Sequence, residues 1–438
     1  MKPEDRISRR LFIAGAASAL VVGAVAQTIS AQESIHPAQA QAENTDEAYW
    51  RKIREGFSLD SKLTFLNNGT LGPVPNAVLA VHRRYDEELA ADPTNSFRQE
   101  ELSGVRKRIA EFTGADPDEI ALTHSTTEGM NIFAKGLHWQ PGDEVIIGAW
   151  EHFGPVEAYQ ALEKQRGINI IRAEEPALPK SVDELIAAYE KKITSKTRLI
   201  VISHVTYVTG LLTPIRELAE FAHGRGILIS VDGAQSTGVV PLDLHSSGVD
   251  HYAGPGQKWL LAGTGTGFTF IKRDLQDRVE PLFGNYDPDA SLGRSAPKAK
   301  AQSSGGTRYE KSGQLNIPAL CGINAALDLQ LGIGKEKIAA RARQLSAQLR
   351  EGLREIPEVR LWTSDDPRFH AGITTFSIGN LPQDQLVKAL QNQEQIIIRS
   401  TNQGCVTGLR VSTHFYNTPD EVARLLTALH RFNKASSL

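Results

Sequence analysis

Apolar residues recur along this chain in two alternating rhythms. Short continuous runs, EVIIGAW (144–150), INIIRA (168–173), TRLIVISHV (197–205) and ILISVDGA (227–234), read as strands buried on both faces. Between them lie amphipathic stretches: PVEAYQALEKQRG (155–167), then SVDELIAAYEKKI (181–193) with a capping box from Ser181 to Glu184, then LTPIRELAEFAHGRG (212–226) closing on glycine. Strand, helix, strand, helix implies parallel strands joined by right-handed crossovers, hence a sheet sandwiched between helices. From Asn285 to Gly313 the pattern dissolves into Gly, Ser and Lys, which reads as a long mobile loop. Helical patterns resume in NIPALCGINAALDL and EKIAARARQLSAQLREGL, followed by short strands in AGITTFSIG, QIIIRS and GLRVSTHF. A last helix opens at Thr418 and Pro419. The expected organisation is an N-terminal segment over 43–69, a large domain over 70–310, and a linker helix with a smaller α+β domain over 311–438. The fold class is α/β with a mostly parallel sheet.

Composition narrows the partners. At 438 residues the chain has room for two ordinary domains, and its net charge of -3 offers no general attraction to nucleic acid or anionic lipid. A small molecule is the expected partner. Two cysteines, Cys321 and Cys405, provide no disulfide framework, so a large apolar core must hold the fold.

Residues 1–42 form a separate element. Ser8-Arg9-Arg10-Leu11-Phe12-Ile13 precedes a weakly apolar run that ends at Ala26, which is the pattern of a twin-arginine export signal. The run is shorter than the roughly 20 apolar residues of a spanning helix, and small-x-small sites follow at Ala24-Val25-Ala26 and Ala38-Gln39-Ala40. The expectation is a protein carried folded to the periplasm by the twin-arginine machinery, a route that suits an enzyme acquiring its cofactor in the cytoplasm.

Four features at the carboxyl ends of these strands carry candidate chemistry, because an open α/β sheet places its ligands there. THSTTEGMN (123–131) offers hydroxyls and backbone N–H groups at a helix start, suited to a phosphate or to ordinary capping. Asp232 in VDGAQ ends a buried strand, where it needs a facing cation or acts as a cap. Lys258 in GPGQKWLL sits among apolar residues and glycines, which destabilises its ammonium form and frees an amine nucleophile. Trp150 and His152 in GAWEHFGP offer a flat ring to stack on an aromatic ligand. Phosphate cradle, acid for a ring nitrogen, stacking ring and nucleophilic lysine together match pyridoxal 5′-phosphate.

With these residues in view, the chain resembles the fold-type I pyridoxal phosphate enzymes of aminotransferase class V, in the branch of isopenicillin N epimerase and the cysteine desulfurases. The resemblance runs from LNNGTLGPVP (66–75) to VSTHFYNTPDEV (411–422). It implies that Lys258 holds the cofactor as a Schiff base, Asp232 pairs with the ring nitrogen, Gln235 bonds the ring hydroxyl and His152 stacks on the ring. It further implies that Thr126, Thr127 and Gln257 lie near the phosphate, with Asn68 and Arg410 on the substrate side. A planar guanidinium at Arg410 matches a carboxylate bidentately. Gln257 stands where many relatives hold histidine, and Tyr207 where desulfurases usually hold asparagine or a small residue. The segment 300–314 resembles one that reaches a neighbouring subunit's phosphate, implying a homodimer. The expected activity is transamination or epimerisation at the α-carbon of an amino acid or amino-acid-containing peptide. Cysteine desulfuration or C–S lysis is the alternative. A non-catalytic exported binding protein is a third reading, disfavoured because a binding module needs no Schiff-base lysine. Cys405, five residues before Arg410 in NQGCVTGLRVS, is expected to be buried and inert.

Overall fold

The computed structural model describes residues 47–96, 98–283, 305–310 and 312–436. The chain divides into two units, Met1–Tyr49 and Trp50–Leu438, and all three sheets lie in the second. The first strand, β1 (Thr64–Phe65), precedes the strands of the main sheet: β2 (Ile120–Thr123), β3 (Glu144–Ile147), β4 (Asn169–Arg172), β5 (Thr197–Ser203), β6 (Leu228–Asp232), β7 (His251–Pro255) and β8 (Gly267–Ile271). Their order is β2-β8-β7-β6-β5-β3-β4, parallel throughout except for β8, which runs antiparallel to both neighbours.

Alternation along these strands explains the sandwich. Ile146, Ile200, Ile202, Ile229 and Val231 enter one apolar layer, with Ile109, Leu218 and Leu320 from covering helices. Their chain neighbours Val145, Ile147, Leu199 and Val201 enter the opposite layer, with Phe133, Tyr159 and Leu162. Successive side chains point to opposite faces, so unbroken apolar runs are what a sheet covered on both sides requires. β4 departs from the expected burial on both faces. It pairs only with β3, and its end residues Asn169 and Arg172 are exposed, as befits an edge strand.

A second, antiparallel sheet has the order β12-β13-β10-β9, formed by β9 (Val359–Leu361), β10 (Ile373–Ile378), β12 (Arg399–Gln403) and β13 (Val406–Ser412). Leucines at 345, 349 and 353 of the helix Lys335–Arg354 pack on it, as do Val422, Leu425 and Leu429 of the helix Pro419–Ser436. A two-stranded parallel pair joins β1 to β11 (Ile396–Ile397), which ties the segment before the main sheet to the second, antiparallel region. The loop after β5 is stitched to the second sheet: Thr375 Oγ1 donates to Val208 O at 2.6 Å, and Thr363 Oγ1 donates to Thr209 O.

Of the polar segment 285–313, residues 285–304 and 311 lie outside the described residues. Its end is not loose. Gly305–Tyr309 forms a 3₁₀ turn against β2, where a Cβ on Gly306 would stand 2.1 Å from Ile120 O. Glu310 accepts from Leu122 N–H and pairs with Arg106 at 2.8 Å, both side chains being nearly enclosed.

Candidate active site

The central parallel strands end side by side, with Ser203 of β5 in register with Asp232 of β6, and Asp232 with Ala253 of β7. Asp232 is 3% exposed, and its Oδ1 accepts from Ala234 N–H at 2.7 Å. Burial pushes this carboxyl up, while the Ala234 N–H and the Lys258 ammonium pull it down. Lys258 follows β7 by three residues. Burial lowers its amine from 10.5 to about 8, against the pull of Asp232 and with further depression by Arg410 and Arg399.

What holds Lys258 is the tryptophan beside it. The Trp259 indole donates to Gln235 Oε1 at 2.9 Å, and its carbonyl accepts from Gln330 Nε2 and His414 Nε2. The turn before it requires Gly256, whose Cβ would stand 2.0 Å from Thr266 Oγ1. Gly72 closes the other side, with its N–H donating to Gln257 O at 2.9 Å.

At the other end of the cleft the helix Thr126–Gly136 begins behind Ser125, whose hydroxyl accepts from Glu128 N–H. Gly129 lets this helix start lie on the sheet, since a Cβ there would meet Ala253 Cβ at 2.8 Å. Among the described residues, the buried Thr126 has no partner for its hydroxyl, and the buried Oε1 of Gln257 also lacks one. Thr127 is exposed, and a Cβ built on Gly154 would stand 3.0 Å from its Oγ1 and 3.4 Å from His152 Nδ1. His152 caps the helix Phe153–Arg166 by accepting from Gly154 N–H at 3.2 Å. Its ring lies 5.0 Å from that of Tyr207. Burial first, then Lys258, Arg399 and Arg410, lower His152 to about 4, so the ring is neutral at ordinary pH. Trp150 is instead packed with Val208, Trp362 and Val406.

Gln235 is committed on both sides. Oε1 accepts from Trp259, and Nε2 donates to Gly69 O at 2.8 Å, which leaves one amide proton for a ligand oxygen. Arg410, 1% exposed on β13, donates among the described residues only to neutral acceptors: Thr70 Oγ1 at 2.9 Å, Asn67 Oδ1 at 3.1 Å and Tyr207 O at 3.4 Å. Its Nε is buried without a partner among the described residues, as is Nδ2 of neighbouring Asn68, whose Oδ1 accepts from the Tyr416 hydroxyl. Of the residues singled out in the sequence, Asp232, His152 and Arg410 lie within electrostatic reach of Lys258, and Gln235 joins them through Trp259.

Two features escaped the sequence. Arg399, inside the run QIIIRS, lies directly across the β12–β13 ladder from Arg410. Tyr207 donates to Gln403 Oε1 at 2.5 Å, and the Gln403 amide donates in turn to the carbonyls of Ala149 and Glu151, so the β12–β13 hairpin is tied to the cleft. One expectation is overturned. Cys405 is exposed, because β12 and β13 are joined by a two-residue turn, Gly404-Cys405, with φ +58° at Gly404, and a tight hairpin turn points its residues outward. Cys321 is the buried cysteine. Arg9, Arg10 and both small-residue sites of the export reading, and residues 300–304 and 311 of the dimer reading, lie outside the described residues.

The unpartnered donors fit the cofactor. A free threonine hydroxyl at a helix start suits a phosphate, a buried carboxylate suits a protonated ring nitrogen, and a depressed lysine amine suits an aldehyde. Comparison with known proteins agrees. The family model "Aminotransferase class-V" matches residues 65–425. Isopenicillin N epimerase of Streptomyces clavuligerus is 31% identical over 389 residues, covering 87% of this chain and 98% of that protein. A probable cysteine desulfurase of Methanothermobacter thermautotrophicus is 28% identical, with 85% and 95% covered. Among solved structures, a lysine-to-alanine mutant of C-DES with glycine covalently linked to its PLP cofactor superposes with TM-score 0.78 at 26% identity, covering 86% of this chain and 98% of that one. The complex of C-DES, a cystine C–S lyase, with cysteine persulfide gives TM-score 0.77 at 26% identity, covering 84% and 98%. With its mostly parallel sheet, its cleft at the strand ends and its lysine after β7, the chain belongs to the class-V aminotransferase family and is a fold-type I enzyme that uses pyridoxal 5′-phosphate.

Proposed function

We propose that this enzyme works at the α-carbon of an amino acid or amino-acid-containing peptide, by transamination or epimerisation. The observation that carries the reading is Arg410. A buried guanidinium that meets no carboxylate among the described residues, within electrostatic reach of Lys258, is placed to fix a substrate carboxylate next to the amine. When bound, pyridoxal 5′-phosphate supplies an electron sink for the pair left on the substrate's α-carbon. Asp232 would keep the proton on the ring nitrogen, Thr126 and the helix start would hold the phosphate, and the neutral His152 would cover the ring. Lys258 Nζ takes a proton from the α-carbon and gives it back, and the place of return separates epimerisation from transamination.

Incubating the purified holoenzyme with amino acids in D₂O tests this. Deuterium entering the α-position, with either D-isomer or keto acid formed, is the expected result. Sulfide release from cysteine without α-exchange would replace this reading by desulfuration. That second reading draws support from the exposed Cys405 thiol. Against it, Cys405 sits beyond Gln403, and four residues of strand separate Gln403 from Arg399, about 13 Å at the strand rise. A thiol on a tight two-residue turn is thereby held away from the arginines.

The twin-arginine pattern supports export to the periplasm, and the resemblance of 300–314 to a subunit-bridging segment supports a homodimer. Replacement of Arg9 and Arg10 by lysine should retain the protein in the cytoplasm, and sedimentation of the active form should give a dimer.

A further inference from the structure

Arg399 and Arg410 are direct Cα partners on antiparallel strands β12 and β13. Residues so paired project from the same face of the sheet with Cβ atoms about 4.5–5.5 Å apart, and like charges there repel. Among the described residues, neither arginine has a protein anion to offset that repulsion. Arg410 donates to Thr70, Asn67 and Tyr207, all neutral. The Arg399 side chain makes no hydrogen bond or ion pair among the described residues, although it is only partly exposed. Its charge reaches the site: it acts on Lys258, His152, Tyr207 and Arg410.

The local carboxyls do not answer the pair. Asp232 is taken up by Ala234 N–H and the Lys258 amine. Glu151 accepts from Ser203 N–H and the Ser203 hydroxyl, and burial drives its carboxyl toward the neutral form. A single α-carboxylate satisfies one guanidinium bidentately. The second guanidinium, costly to place beside the first, is then left facing the cleft.

We propose that Arg399 is a specificity-determining residue that binds a second carboxylate, so that the preferred substrate is an amino acid or amino-acid-bearing peptide with an additional acidic group near its α-carboxylate. This rests on the reading of the cleft as an amino-acid site anchored by Arg410. It adds the charge class of the substrate, and it gives the hairpin a role: Gln403, on the same strand, ties Arg399's strand to Tyr207 and so fixes the second subsite relative to the first.

The test titrates holoenzyme with aspartate against asparagine and glutamate against glutamine, following the absorption of the bound cofactor. Each pair differs by a carboxylate replaced with an amide of the same shape. The expected result is binding of the acids about 10- to 100-fold tighter than of the amides, as for a hydrogen bond to a charged group. In Arg399→Gln that ratio falls to near one, and in Arg399→Lys it falls only in part. A ratio near one in the wild-type enzyme overturns the proposal whether or not a variant folds. So does an Arg399→Gln enzyme that binds acid and amide more weakly by the same factor, which would mean that both arginines share one carboxylate. A holoenzyme whose spectrum responds to no amino acid overturns the amino-acid reading itself and this inference with it, whereas a response without discrimination overturns this inference alone.

Discussion

Asp232 and Lys258 each oppose what burial does to the other: the carboxylate holds the amine up, and the ammonium holds the carboxyl down. In cofactor-free enzyme, Asp232→Asn should therefore move the midpoint of amine labelling at Lys258 to a pH below about 8. Mass spectrometry of the labelled peptide across a pH series measures it. An unchanged midpoint would show that the two charges do not sense each other.

The same depressed amine makes stability depend on pH. Between about 8 and the ordinary 10.5 the folded apoprotein binds fewer protons at Lys258 than the unfolded chain does, so this group's contribution to stability rises with pH across that window. Denaturation of apoprotein at several pH values should show that rise, and Lys258→Met should flatten it. The holoenzyme, whose lysine is engaged by cofactor, should lack it from the outset.

Thr126 provides the cleanest test of the phosphate end, because its hydroxyl is buried without a partner among the described residues. Thr126→Val keeps the shape and removes the donor, and should weaken cofactor binding by about 10- to 100-fold, the range for a hydrogen bond to a charged group. Thr126→Ser should restore most of it. Equilibrium dialysis of pyridoxal 5′-phosphate gives both values.

Much of this site was legible because its parts are local. Asp232 and Lys258 stand at strand ends that apolar runs and glycines mark, and Thr126 follows a Ser cap; one-dimensional pattern suffices for each. Arg399 was not legible, because its meaning comes from a register that places it opposite Arg410, and nothing in QIIIRS announces a partner eleven residues on. The Tyr207–Gln403 bond spans 196 positions and escaped for the same reason. Cys405 was misread because Gly404 was not recognised as a hairpin turn, and a residue taken as strand interior became a turn residue facing water. The edge position of β4 was equally hidden: strand order depends on crossovers, which local sequence does not encode.

Gly72 should be sensitive although it carries no chemistry. A Cβ there would lie 2.2 Å from Lys258 O and 2.4 Å from Leu261 Cδ2, both parts of the turn that positions the Lys258 amine. Gly72→Ala should cost about 1–3 kcal/mol of stability, the range for overpacking, and should lower kcat by displacing Lys258. A variant with wild-type thermal midpoint and turnover would mean that this turn yields freely.

Cys405 and Arg410 together decide which reaction the enzyme performs. If chemistry at the α-carbon is correct, Cys405→Ser alters an exposed turn residue and should leave turnover nearly intact, since surface changes of this kind stay within about 0.5 kcal/mol. Arg410→Ala should then cost on the order of 2–5 kcal/mol in kcat/KM, because it leaves the substrate carboxylate without the charge that bound and oriented it. Arg410→Lys should recover little, since a point charge does not reproduce the bidentate fork. Desulfuration makes the opposite demand on the thiol: Cys405→Ser would abolish sulfide release from cysteine while the cofactor spectrum stayed unchanged. Steady-state kinetics of the three variants, with α-deuterium exchange and sulfide both monitored, separate the two outcomes. A dead Cys405→Ser enzyme would place the hairpin tip in the reaction, with the turn after β12 moving its thiol toward the arginines.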